Sequence, residues 1–391
     1  GYAAGLGAIT GDNNVCVGSY AGNDLTSGAG NVIIGKNAGY NATTALYNVI
    51  IGSSACGSGT LANATGNEGK FNVVVGNAAG YDLNTGHSNI LLGESAGANL
   101  TDNYQNIAIG YQAMDGCNGG EHHNIAIGTN ALGADIAGSD HCIAIGHNAL
   151  ILQDANVKNT AIGGFAGVSL EGGNYNTLVG YNTGNAIVDG ASNTALGYNA
   201  YAGGTGNQNT CIGVDAGDAA MTGSDNTCVG KGAGTAITDG PGNVLIGKSA
   251  GEAMTTSDYN VAIGFAALYQ ALDSLTTNSH NNIAIGKNSL GALAVETSSS
   301  AISSVAIGTE ALATQNHADA VNLAIGHNAG TTISSGTANV LIGHEAGSTI
   351  ATSSSCTAVG YNALKLATGG ANTAIGNAAL QTVVAGVSNT A

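Results

Sequence analysis

The sequence predicts an all-β chain, a parallel β-solenoid built from coils of about 17 residues. Three observations carry this. A motif of Asn, β-branched or aliphatic, apolar, aliphatic and Gly recurs from end to end, as in Asn159-Thr160-Ala161-Ile162-Gly163. Its glycine falls at Gly18, Gly35, Gly52, Gly76, Gly93, Gly110 and on to Gly163, Gly197, Gly247, Gly343 and Gly376, most often in steps of 17. A fixed period of this size marks a solenoid or an array. Finally, the chain has 64 Gly, one Pro, no Trp and three Phe among 391 residues, which does not suit two or three ordinary globular cores.

With the motif glycine as position zero, each column has a physical reading. Position −1 is Val, Ile or Leu, and position −3 is Val, Ile, Leu or Thr. These share one face of a strand because side chains alternate with period two. Position −2 points the other way yet is Ala, Cys, Val, Ile or Leu, never polar. Both faces of the strand are therefore expected to be dry, the −1 and −3 rows inside the coil and the −2 row under a second layer from this chain or a partner.

Position −4 is Asn in Asn14, Asn31, Asn48, Asn72, Asn89, Asn106, Asn124, Asn159, Asn176 and Asn193, with Cys142, Ser304 and Cys356 as exceptions along the chain. Stacked coils align these amides into a hydrogen-bonded ladder at a tight corner. The zero-position glycines, Gly18, Gly35, Gly52, Gly110, Gly163, Gly197, Gly247 and Gly343 among them, fit a corner that needs positive φ or close backbone approach. Position +3 is Ala except at Thr183 and Ser289, a second inward site with little room. A further Gly, or Leu, at +4 allows another turn or a plug.

The whole of 1–391 reads as a single continuous repeat array, cut from a longer chain because both ends fall inside a motif. Longer steps place loop insertions near 57–70, 269–281 and 291–303.

Composition narrows the function classes. Charged residues are 8% of the chain, with seven Lys, no Arg and 24 acids, for a net charge of −17. That speaks against nucleic acid and anionic membrane surfaces, which want basic patches. No apolar run is long enough to span a membrane. The seven cysteines read as small buried hydrophobes rather than a disulfide framework; Cys211 and Cys228 lie in successive coils, where parallel neighbours offer poor disulfide geometry.

No residue set stands out as catalytic, cofactor-binding or metal-ligating. His327 and His344 hold +1 in successive coils, but a metal would want a third ligand and the adjacent Glu345 points elsewhere, so they read as a solvated pair. Lys231 and Lys248 form a similar pair, and His122-His123 lies in a turn. The +1 tyrosines (Tyr2, Tyr111, Tyr181, Tyr198, Tyr361) read as a half-exposed packing row, the alternative being amphipathic contacts to carbohydrate. The −3 threonines Thr160, Thr177, Thr194, Thr210 and Thr227 resemble an ice-binding row, but they sit among aliphatics and are expected to be buried.

The motif Asn372-Thr373-Ala374-Ile375-Gly376-Asn377-Ala378-Ala379-Leu380 resembles the repeats of bacteriophage tail-fibre shafts and the Val-Ala-Ile-Gly repeats of trimeric autotransporter adhesin heads. The resemblance covers essentially the whole chain, although the adhesin repeat is usually nearer 14 residues. It implies a left-handed β-roll, a homotrimer with one strand row facing the threefold axis, and an extracellular place on a virion or cell surface. The expected function is a structural and adhesive fibre shaft that carries a distal tip and contacts a surface glycan or receptor. The alternative is a self-assembling filament subunit joined head to tail.

Overall fold

A computed structural model describes residues 1–391 except 63–65, 67, 118–119, 135–139, 155–157, 271–279, 293–302, 316–319 and 383–384. Most of the expected insertions near 269–281 and 291–303 therefore lies outside the described residues, as do 63–65 and 67 of the one near 57–70. The chain is an all-β parallel solenoid, with no helix among the described residues. It forms two compact units, Gly1–Asn193 and Thr194–Ala391.

In the first unit ten three-residue strands stack in chain order, from Val15–Val17 to Thr177–Val179. Each pairs in parallel with the next, level with it: Val32 with Val49, Ile33 with Ile50, Ile34 with Ile51. In the second unit eleven strands repeat the arrangement, from Thr194–Leu196 to Thr373–Ile375. Backbone bonds run to both neighbours, so Val32 N donates to Asn48 O (2.8 Å) and Gly35 N to Val17 O (2.8 Å).

The facing of the strands reverses the expectation. The −2 row turns into the coil: Ile33, Ile50, Ala108, Ala161, Cys211 and Leu245 have no exposed surface. The −3 and −1 rows turn outward, half-buried or exposed along both units. The reason is parity. The −4 asparagine must face inward to reach the carbonyls lining the coil, and with period two that sends −2 inward and −3 and −1 outward. The threonines at −3 are accordingly not buried: Thr177 and Thr194 are exposed, and Thr160, Thr210 and Thr227 half-buried.

The asparagines are bonded coil to coil. Asn31 donates from both its backbone N and its Nδ2 to Asn14 Oδ1 (3.0 Å each) and from Nδ2 to Ala45 O (2.7 Å). Asn48 repeats this on Asn31 Oδ1, and Asn72 on Asn48 Oδ1. Where Cys142, Ser304 and Cys356 interrupt the column, their backbone N still donates to the preceding asparagine Oδ1, at 2.8, 3.0 and 2.9 Å. At Cys142 and Ser304 a buried glutamine mends the missing side chain. Gln153 Oε1 accepts from Asn159 Nδ2 (2.7 Å), and Gln315 bridges Ser304 Oγ and Asn322 Nδ2 (2.9 Å each).

At the zero corner the glycines hold φ near 137°, as in Gly110 and Gly163 (138°). A Cβ on Gly163 would lie 2.2 Å from Gly180 O, so the next coil's backbone occupies the space of a side chain.

The core is filled by volume exchange. Coils with Leu at +4 (Leu132, Leu150, Leu268, Leu290, Leu312, Leu364) carry Ala at −2 (Ala126, Ala144, Ala262, Ala284, Ala306, Ala358). Coils with a large −2 residue, such as Leu91, Leu178, Leu245 and Leu341, carry Gly at +4 and an apolar residue at +7. A Cβ on Gly97 would meet Leu100 Cδ1 at 2.7 Å and Leu91 Cδ2 at 2.9 Å. The +4 leucines adopt left-handed φ near 50°, a conformation that costs about 1–2 kcal/mol. Burying the leucine returns roughly 1.5–3 kcal/mol, so the strained plug is tolerated.

Candidate functional site: an outward aliphatic face

The feature that needs a purpose is the outward side of the strands. In the first unit its −3 and −1 columns run Val15 and Val17, Val32 and Ile34, to Ile143 and Ile145, before threonine enters at Thr160. In the second unit they run from Thr194 and Leu196 to Thr373 and Ile375. Individual exposures reach 47% at Leu196 and 65% at Ile375, and even mid-stack residues such as Ile90 (38%) and Ile246 (37%) are over a third exposed. The −5 column adjoins this side, since Ser303, Val321 and Ala338 line one shallow groove with Val305, Leu323 and Val340.

Size decides whether this is ordinary surface. Ten strands give nine steps of about 4.8 Å, and the three residues from −3 to −1 span about 10 Å, so the aliphatic strip of the first unit covers roughly 430 Å². The largest apolar patch on a typical monomer is about 300–600 Å², and a standard interface takes about 800 Å² from each partner.

The face also differs in charge. Across the −5, −3, −1 and +1 columns lie Lys36, Lys158, Lys231, Lys248 and Lys287, five of the chain's seven lysines. Only Glu94 and Asp225 of its 24 acids are there. Two lysine ammoniums sit over aromatic rings, Lys158 on Tyr175 and Lys248 on Phe265, each 5.6 Å from the centroid. In each unit the outward strand columns thus hold few of the chain's acids.

Rings stack along the margins at about the coil spacing. Tyr47 and Phe71 lie 5.6 Å apart and His123 and His141 4.8 Å apart in the −5 column; His327, His344 and Tyr361 follow at 5.1 and 5.2 Å in the +1 column. Tyr111, Tyr181, Tyr198 and Tyr361 are about half exposed. Glu345, beside the histidine pair, is ion-paired to Lys365, whose ammonium holds its carboxyl below the usual range. Among the described residues no group of three or more His, Cys, Asp or Glu is placed to hold a metal.

No family model and no curated protein matches the chain. The site therefore rests on its own chemistry.

The buried thiols with raised pKa values are poor nucleophiles. The seven cysteines are free, and burial pushes the Cys56 thiol up to about 12 and the Cys142 thiol up to about 11. The Cys211 thiol is raised by its hydrogen bond to Cys228 and by burial. The neutral thiol is a weak nucleophile. No described helix is long and apolar enough to cross a membrane. What the arrangement does offer is a long, regular strip, uncharged in its −3 and −1 columns, for packing against another flat surface. Sequence reasoning placed the aliphatic columns in the wrong layer and so missed this face. The signal was the inward asparagine, two residues from the −2 position.

Proposed function

We propose that the chain is the shaft of a surface fibre, assembled from identical copies packed through the outward −3 and −1 columns, three chains to a shaft. The observation that carries the reading is the unbroken aliphatic strip along that face, as large as the largest apolar patch of a typical monomer, the kind that is often functional. A second copy is the occupant that fits. It has the same flat pleat and the same depletion of negative charge, whereas the remaining surface of a chain at −17 repels its like. The resemblance to tail-fibre and adhesin-head repeats supports three chains and a place outside the cell, on a virion or cell surface. Half-exposed tyrosines along the margin suit weak stacking on surface glycans.

Sedimentation equilibrium tests this directly. A particle of three chains, unchanged over a hundredfold range of concentration, is the expected result. A monodisperse monomer defeats the reading, and particles that lengthen with concentration replace it with a head-to-tail filament.

A further inference from the structure

The outward −3 column is not uniform, and its departures fall in blocks. In the first unit eight aliphatic residues, Val15 to Ile143, are followed by Thr160 and Thr177. In the second unit Thr194, Thr210 and Thr227 precede six aliphatics, and Thr357 and Thr373 follow them. Within each block the threonines are level neighbours on paired strands. Their own coils make no use of the hydroxyls: no hydrogen bond from any of these seven is found among the described residues. Valine, which fills the same site in other coils, has the same shape, so packing within the coil does not call for threonine.

We propose that these threonines fix the axial register between copies of the chain. The inference rests on the packing of identical chains proposed above. When two outward faces close, a hydroxyl in an apolar seam needs a polar partner, and the only polar groups in the facing −3 column are the same threonines. They meet when the copies run parallel with coils level. A slip of one coil, about 4.8 Å, sets Thr160 against Ile143 or Thr227 against Val244 and strands hydroxyls without partners. Each mismatch lowers the slipped population by roughly tenfold. Antiparallel packing of two first units would set Thr177 and Thr160 on Val15 and Val32, and antiparallel packing of two second units would set Thr227 on Val340, so it too strands hydroxyls. An all-aliphatic column would pack as tightly at any slip, so the polar exceptions supply a specificity that area alone does not.

The test uses the full chain with a photoreactive leucine analogue in place of Leu323, isotope-mixed copies, and cross-links mapped by mass spectrometry. In the native assembly cross-links should reach only the partner's coil containing Leu323 and its immediate neighbours. In the variant T160V, T177V, T194V, T210V, T227V, T357V and T373V, chain number should hold while cross-links to more distant coils rise at least threefold. Serine at the same seven sites keeps the hydroxyls and should restore the confined pattern. An unchanged pattern in the valine variant, a spread pattern in the serine variant, or a spread pattern in the native assembly overturns the register key alone. A native chain that sediments as a monomer overturns the assembly reading and the key with it.

Discussion

At the scale of single residues, the ladder asparagine does more than decorate a corner. Asn48 Oδ1 takes two hydrogen bonds from Asn72, and its Nδ2 gives two, to Asn31 Oδ1 and Gly69 O. Asn48→Ala leaves these buried partners unmet, at about 1–3 kcal/mol for each group that stays dry. The expected loss is local, because repeat stability is close to a sum of neighbour terms. Hydrogen exchange should show the Asn72 amide losing protection while coils several steps away keep theirs. The buried thiols give a pH signature. Cys56 and Cys142 are pushed up to about 12 and about 11 from a free value of 9.0, so the unfolded chain releases their protons first. Their stabilisation is complete below about pH 9 and falls as pH rises toward the folded values, by about 1.4 kcal/mol per unit for each thiol. Urea midpoints measured from pH 8 to 11 should fall, and the slope should flatten in C56A/C142A.

Between single residues and the assembly stands the coil, where the exchange of volume among −2, +4 and +7 makes a sharp expectation. Leu150→Gly removes a fully buried plug and should cost about 2–5 kcal/mol, less what is regained by relieving its left-handed backbone. Ala144→Leu alone overpacks the same coil. Together they give it the large −2 residue and +4 glycine seen at Leu178 and Gly184, with Gln153 still at +7 where that coil has Ile187, so the double variant should recover at least about 1 kcal/mol relative to the sum of the singles. Thermal melts of the four chains measure that coupling. Much of the coil was legible in sequence: the period, the corner glycine, the small +3 site and the parallel stacking all follow from spacing. The facing of the strand was not drawn correctly. Two dry rows look alike in composition, and alternation alone does not say which of them faces the coil. The deciding constraint was polar. An amide that must bond to carbonyls inside the coil fixes the parity of everything after it, and the broad aliphatics are left outside. The candidate face became visible only then, because its identity depends on orientation rather than on residue type.

For the molecule as a whole, the balance lies between apolar area that favours association and a net charge of −17 that opposes it. Two outcomes follow. Ile127→Asp with Ile145→Asp places two carboxylates in the outward seam of the first unit, where they have no structural duty inside the coil. Circular dichroism should be unchanged while sedimentation shows at least a hundredfold weaker association. Added salt should tighten the native assembly, since screening weakens repulsion between acidic chains and leaves apolar packing intact. Association that weakens between 50 mM and 500 mM salt would point instead to ion pairs across the seam.

The corner glycines carry one more implication. Because the carbonyl of the following turn stands where a methyl group would go, Gly163 cannot be exchanged even for alanine without displacing its neighbour. Every rung is thus answerable to the next, and outside the turns that already absorb longer steps the chain is edited most simply in whole units. Excising 164–180 joins Gly163 to Tyr181 and keeps every column in phase, whereas removing half that length throws amide, plug and corner out of step at once. Length, in such a chain, comes in quanta.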